Sequence, residues 1–262
     1  MDPLTDFDWF EHWRGLVEGR RDQTGGPRQN DFWTRRAASF ATSSAQRDDP
    51  LLGVLEPYLS PHATLLDVGA GTGRHSVPLA DRLAWVTAVE PSLAMRSHIP
   101  ELANLTVIAS EFLDADAAAA DLVLCSNVLY PIAEPRPFIE KLESLARQRV
   151  FVVMRDAPNP HPAEVITRGV RVREPRLADL YMLLHQMGVE PDVAAWRQSA
   201  EHHWESLEAA IEDCRGRAGL TWPEGPGEAF LKAQLAADPE RAGVVYRGPD
   251  YSVGVAHWSP RR

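Results

Sequence analysis

The residues whose types and spacing could do chemistry are Asp67, Gly69, Gly71, Gly73 and Glu90. The three glycines alternate with small residues inside "LLDVGAGTGRHSVPLA", Leu65 to Ala80, directly after an apolar run. Glycine loses more backbone freedom on folding than any other residue, so such a cluster needs a physical reason. Glycine accepts positive φ, and without a Cβ it lets the backbone approach a ligand closely. A helix beginning just after the turn aims its unpaired N–H groups at the same point. Glu90 closes "WVTAVE", 17 positions beyond Gly73. A carboxylate at that strand end can accept hydrogen bonds from both hydroxyls of a ribose, and it repels a ribose phosphate.

The spacing narrows the ligand. The dinucleotide pattern G-x-G-x-x-G requires a glycine at position 74, which is Arg74. No Gly-Lys-Ser/Thr follows, so the turn is not a phosphate loop of that type. The pattern present is Asp67-x-Gly69-x-Gly71-x-Gly73.

Strands and helices must hold these residues in place. "TLLDV", "WVTAVE", "LTVIAS", "DLVLCSN" and "RVFVVMRD" read as apolar strands. "GRHSVPLADRL", "SLAMRSHI" and "PFIEKLESLAR" read as the helices between them. Apolar strands alternating with helices predict an α/β fold: a doubly wound, mainly parallel sheet with helices on both faces. Upstream, Trp9, Trp13, Leu16 and Val17 form one apolar stripe, which predicts a helix over 5–20 capped by Thr5. A polar break, "RRDQTGGPRQN", follows it, and helical spacing resumes in "FWTRRAASFA". Beyond residue 156, "LADLYMLLHQMGV" reads as a helix with Gly188 as its C-cap. "DVAAWRQSAEHHW" fits a strand, a helix is expected from Ser206 to about Arg217, and "YSVGVAHWS" alternates like a late strand.

With these segments in place, "LLDVGAGTGRHSVPLA", "VTAVEPSLAMR" and "ADLVLCSNVLYPI" resemble the successive motifs of class I S-adenosylmethionine-dependent methyltransferases. The resemblance covers roughly residues 30–155, and "FWTRRAASFA" is similar to the N-terminal helix that closes over the cofactor in many small-molecule members. It implies a sheet of seven strands with an antiparallel last strand at 251–258. Asp67 would orient the methionine amino group. Gly69, Ala70 and Gly71 would pass beneath the cofactor, Gly73 would ease the turn into the helix, and Glu90, followed by Pro91, would hold the ribose diol. Glu111 would face the adenine amino group, Phe112 would flank the ring, and Ser126 and Asn127 would border the methionine portion. The implied organisation is a single domain, 1–262. Within it, 1–47 forms a helical lid, 48–156 the cofactor-binding half, and 157–262 the substrate-side half with a helical insertion.

Other polar residues have plainer readings beside functional ones. His202 and His203 in "EHHW" and His161 in "PNPHPAE" show no metal-ligand spacing, so no metal is expected. Of the three, only His161 follows a strand's C-terminal end, which makes it the first candidate general base. Arg168, Arg171, Arg173 and Arg176, opposed by Glu174 alone, read either as a solvated face or as a clamp for an anionic acceptor.

Bulk properties bound the function. The formal charge of −10, from 37 acidic residues against 27 Lys plus Arg, disfavours nucleic acid and anionic membranes as partners. The N-terminus lacks a basic n-region and no apolar run is long enough to span a bilayer. Cys125 and Cys214 form neither a disulfide framework nor a zinc site, so a cytoplasmic setting is expected. The expected activity is methyl transfer from S-adenosylmethionine to a small-molecule acceptor. A non-catalytic cofactor-binding scaffold or sensor, an RNA or protein methyltransferase, and an NAD-dependent oxidoreductase remain as alternatives. No Asn/Asp-Pro-Pro-Tyr/Phe run follows the fourth strand, where the text is "SNVLYPI".

Overall fold

The computed structural model describes residues 7–24, 49–239 and 241–261. The expected helix in "FWTRRAASFA", and most of the 1–47 segment with it, lies outside the described residues. Contact density divides the chain into two compact units. One holds residues up to 27, 155–180 and 195–254; the other holds 28–154, 181–194 and 255–262.

The second unit carries the strand–helix alternation. Its strands are β1 (Thr64–Val68), β2 (Trp85–Val89), β3 (Leu105–Ile108), β4 (Ala120–Ser126) and most of β5 (Ala146–Arg155). β1 pairs in parallel with both β2 and β4, β2 with β3, and β4 with β5. Leu65, Leu66, Val68, Leu122, Val123, Leu124 and Phe151 are almost wholly buried, as sheet positions covered on both faces require. Three short helices follow the early strands or precede them: α2 (Pro50–Leu55), α3 (Ser76–Ala80) and α4 (Leu93–Arg96). α5 (Pro135–Leu145) starts on a proline, which fits the first helical turn, and buries Phe138, Ile139 and Leu142.

The other unit begins with α1 (Trp9–Thr24). The helix starts later than Thr5 because the Asp8 carboxylate accepts from the backbone N–H groups of Phe10 and Glu11 and so provides the cap. It also continues through residues expected to form the polar break. Trp13 and Val17 of the apolar stripe are buried. α6 (Pro162–Ile166), α8 (Leu207–Ala218) and α9 (Pro226–Gln234) surround a small core of Ala163, Cys214, Ala218, Trp222 and Leu231. Between α6 and α8 along the chain come α7 (Leu177–Gln186) and β6 (Asp192–Trp204). The chain then runs through β7 (Leu235–Ala237) and β8 (Val244–Trp258).

The strand order is β3-β2-β1-β4-β5-β8-β6, with β7 paired to β8, so the mixed sheet has eight strands rather than seven. The additional strand, β7, is three residues long and antiparallel to the start of β8. Three residues carry no alternation that a sequence pattern could detect. β8 itself begins seven residues before the expected 251, and Gly248 and Pro249 inside it explain why its first half did not read as a strand.

Candidate functional site

The register sets the site's position. Val68 lies opposite Val89 on one side and Cys125 on the other, so the C-terminal ends of β1, β2 and β4 share one edge. The strand order reverses between β1 and β4, the switch point where open α/β sheets bind ligands. Gly69–Gly73, Glu90 and Asn127 follow these three ends directly, and Ser126 is the last residue of β4.

Gly69, Gly71 and Gly73 have φ of +69°, +60° and +82°. A Cβ at Gly69 would meet Val128 Cγ2 at 2.4 Å, and one at Gly73 would meet Val77 Cγ2 at 2.9 Å. The turn is tied to the end of β2: the N–H groups of Gly69 and Ala70 donate to the Val89 carbonyl at 2.8 and 3.1 Å. Glu90 ties it a second time. One carboxylate oxygen accepts from Gly71 N–H at 2.9 Å, and the other accepts from Ser92 N–H at 2.8 Å. A carboxylate offers about four acceptor positions, so each oxygen keeps capacity for one further donor. Two hydroxyls on adjacent carbons match that capacity.

Asp67 is buried at the end of β1, and its carboxylate accepts from Ser76 Oγ at 2.6 Å. Burial pushes its pKa up, against the opposing charge of His75 and the bond from Ser76. Burial likewise raises Glu90, which the N–H groups of Ser92 and Gly71 oppose and the charges of Asp67 and Glu111 reinforce. The Cys125 thiol is held up by its burial and by the Asp67 charge. These carboxylates therefore concentrate negative charge at a partly desolvated edge, an environment suited to a cationic ligand.

Glu111 is exposed, three residues beyond β3. Phe112 is buried, with its ring 4.8 Å from that of Phe138 and the Lys141 ammonium 5.1 Å from its centre. Lys141 also donates to the carbonyls of Phe112, Leu113 and Ala115 at 2.8–2.9 Å, which fixes the loop carrying Glu111. Asn127 has φ +60°, a conformation that asparagine tolerates better than most residues. Its side-chain oxygen accepts from Tyr130 OH at 3.2 Å, and its amide donates to Ser126 Oγ at 3.2 Å. Pro91 is exposed, and its carbonyl accepts from Arg96.

Sequence reasoning missed several partners. Ser76 and Ser92 stand beside the two key carboxylates, and both are ordinary helix-start residues by sequence. Asp49 caps α2 and accepts from Arg74 Nη2, and it pairs with His75 Nε2, both at 3.0 Å. Burial would raise the Asp49 pKa, but the His75 bond and charge and the Arg74 charge outweigh it and bring it to about 2.

His161 belongs to the other unit. Its Nδ1 accepts from Ala163 N–H at 3.2 Å, capping α6, so Nε2 carries the proton and donates to Asp213 at 3.1 Å. Burial, then the Arg217 charge, holds its pKa well below 6.5 against the Asp213 hydrogen bond, so the ring is neutral. Both nitrogens are engaged in holding the fold. His203 Nδ1 pairs with Asp238 at 2.6 Å. Among the described residues no group of three or more His, Cys, Asp or Glu is placed to hold a metal ion. Among them, too, no helix is long and apolar enough to cross a membrane.

A bulk-free turn and an acidic strand end at the switch point define a nucleoside-cofactor-binding α/β protein. The chain belongs to the methyltransferase domain family, whose model matches residues 40–221. Solved structures share the fold. A candidate methyltransferase from an antibiotic biosynthesis pathway of Anabaena variabilis is 17% identical, with TM-score 0.54, and the match covers 81% of this chain and 98% of that one. For a candidate methyltransferase from Bacillus halodurans the figures are 13%, 0.52, 79% and 96%. A curated relative, the 23S rRNA (uracil(1939)-C(5))-methyltransferase RlmD of Halomonas elongata, is 29% identical over 194 residues, 67% of this chain. The match spans 39% of that relative's length.

The two raised carboxylates give a pH dependence with a definite sign. Glu90 and Asp67 hold protons in the folded protein that the unfolded chain has released above about 4. The stability they contribute is present below the ordinary values of 4.5 and 3.8 and is lost as pH rises through the folded values. A bound cation favours the ionised forms, so affinity for S-adenosylmethionine should rise with pH across that window, with proton release on binding. Calorimetry in buffers of different ionisation enthalpy reads that release directly. Asp49 has the opposite sign: its contribution is present above 3.8 and lost as pH falls toward about 2.

Proposed function

We propose that this methyltransferase acts on a small-molecule acceptor and holds its cofactor on the residues described above. Gly69, Ala70, Gly71 and Gly73 form the cradle, and a side chain at Gly69 would run into Val128 and displace the turn. Glu90 takes the ribose diol, Asp67 the methionine ammonium, and Glu111 the adenine edge, with Pro91, Phe112, Ser126 and Asn127 bordering the site. The functional division into a lid (1–47), a cofactor half (48–156) and an acceptor half (157–262) belongs to the same reading.

When bound, the cofactor supplies a methyl group activated on a sulfonium. The acceptor's nucleophile would bond to that methyl carbon as its bond to sulfur broke, with the bonding pair leaving on sulfur. The protein's residues then have only to position the reactants and exclude water, which is worth up to about 7–11 kcal/mol in favourable cases. Glu90 is pinned from both sides by backbone N–H groups, so it presents its remaining lone pairs without reorganising.

The observation that carries the small-molecule reading is the formal charge of −10, which opposes a polyanionic acceptor. The rRNA-modifying relative favours a second reading, transfer to RNA. Incubation of the protein with methyl-labelled S-adenosylmethionine and separate small-metabolite, RNA and protein fractions distinguishes them. Label in the metabolite fraction is the expected result, and label in RNA overturns it.

A further inference from the structure

The segment from 155 to 176 encloses a cavity of about 190 Å³ that the cofactor residues do not touch. Among the described residues, five arginines line it, with Glu164 and Glu174 the only acids in its wall. Those acids are already engaged. Glu164 pairs with Arg171 at 2.8 Å and with Arg20, and Glu174 pairs with Arg155 at 2.5 Å and Arg20 at 3.0 Å. Arg173 is bound twice by Asp179. Among the described residues, the Arg168 and Arg176 guanidinium groups have no carboxylate partner within ion-pair distance. The wall and its partners thus carry more positive than negative charge, in a chain whose total is strongly negative.

One atom singles out a ligand. The Arg171 side chain is only 5% exposed, and its Nε–H is buried with no hydrogen-bond acceptor among the described residues. A buried, unpaired N–H on a charged group is costly, and native proteins rarely leave one unused. One edge of a guanidinium presents Nε and one Nη side by side, a fork that matches the two oxygens of a carboxylate. Ala157, Pro158, Val172 and Pro175 give the wall an apolar part that suits a hydrocarbon body, beside the polar Asn159 and Thr167. Glu164 and Glu174 make a dianion such as phosphate less welcome than a monoanion.

We infer that this cavity binds the carboxylate of a small organic molecule on Arg171 and Arg168. The cavity is too small for a nucleic-acid strand.

The test uses the full chain, nitrogen-labelled on arginine, titrated with benzoate, with benzamide as the neutral control and inorganic phosphate as the dianion. Benzoate should shift the Arg171 Nε–H resonance, benzamide should not, and phosphate should bind more weakly than benzoate. R171Q should weaken benzoate binding about tenfold or more, in line with loss of a bidentate charged contact. R168Q, at an exposed position, should weaken it severalfold and keeps the test decisive if R171Q does not fold. No benzoate shift, an equal response to benzamide, or tighter phosphate binding overturns the assignment. S-adenosylhomocysteine affinity on the same samples should be unchanged in both variants, and a parallel loss there also overturns it. The two readings fail separately: label in RNA removes the small-molecule acceptor, whereas absent benzoate binding with label in metabolites removes only this site.

Discussion

Replacing Gly69 with valine should raise the dissociation constant for S-adenosylhomocysteine at least about a hundredfold, or about 3 kcal/mol. Two physical effects add. The position has φ +69°, where a β-branched residue is a genuine outlier and costs of order 1–3 kcal/mol. A Cβ there would also sit 2.4 Å from Val128 Cγ2, so Val128 or the turn must move. Gly69 and Ala70 are both bonded to the Val89 carbonyl, and displacing the turn breaks its link to the end of β2 next to Glu90. Gly188→Ala is the matched control. It has φ +76° and nothing within 4 Å of an added Cβ, and it follows the end of α7. That substitution should lower the melting temperature by a few degrees, as about 1 kcal/mol of backbone strain does, and leave affinity unchanged. Equal affinity losses in the two variants would mean that backbone strain in general, not this turn, is being measured.

The glycine turn was legible in the sequence because its demands are local. A strand, a cluster of glycines and a helix are contiguous, and each states its own backbone requirement. Glu90 was legible for the same reason, as the acid closing the next strand. What stayed hidden is what lies far away along the chain. Lys141 clamps the Phe112–Ala115 loop from α5 through three carbonyls, and nothing in "PFIEKLESLAR" distinguishes it from a solvated lysine. Ser76 and Ser92 read as helix starts, while their contacts to Asp67 and Glu90 depend on how the turns fold back. His161 has a fold role that the sequence did not show. Its position after a strand suggested catalysis, but the α6 N-terminus and Asp213 engage both nitrogens. In the 157–250 region, β7 and the first half of β8 are set by pairing between strands rather than by apolar alternation, so propensity alone could not find them.

The paired-carboxylate arrangement also explains why such a site needs a tightly built turn. The Asp67 charge adds to the cost of ionising Glu90, on top of burial. Two backbone N–H groups on Glu90 and one hydroxyl on Asp67 offset part of it. On the proposed reading, a cationic cofactor bound beside them would offset more, so stability would be traded for affinity at one place.

That trade makes Glu90 the most informative position. Glu90→Ala should weaken S-adenosylhomocysteine binding by about a hundredfold or more, because it removes the diol acceptors and strands two N–H groups at about 1–3 kcal/mol each. Glu90→Gln keeps the shape but has one acceptor oxygen. Whichever way the amide turns, its NH₂ faces either Gly71 N–H or Ser92 N–H, donor against donor. Affinity should therefore fall by about tenfold or more, although the side chain is nearly isosteric. Stability should move differently. The glutamine cannot ionise, so the decline in ligand-free stability as pH rises through the Glu90 window should shrink, and with it part of the proton release on binding. Thermal melts of wild type and Glu90→Gln at pH 5 and pH 8 (expected to differ less in the variant), set beside calorimetry at both pH values, separate the two roles. A Glu90→Gln protein that binds as tightly as wild type would show that the carboxylate braces the turn without meeting the cofactor. One that keeps the full pH dependence would move the titrating group to Asp67.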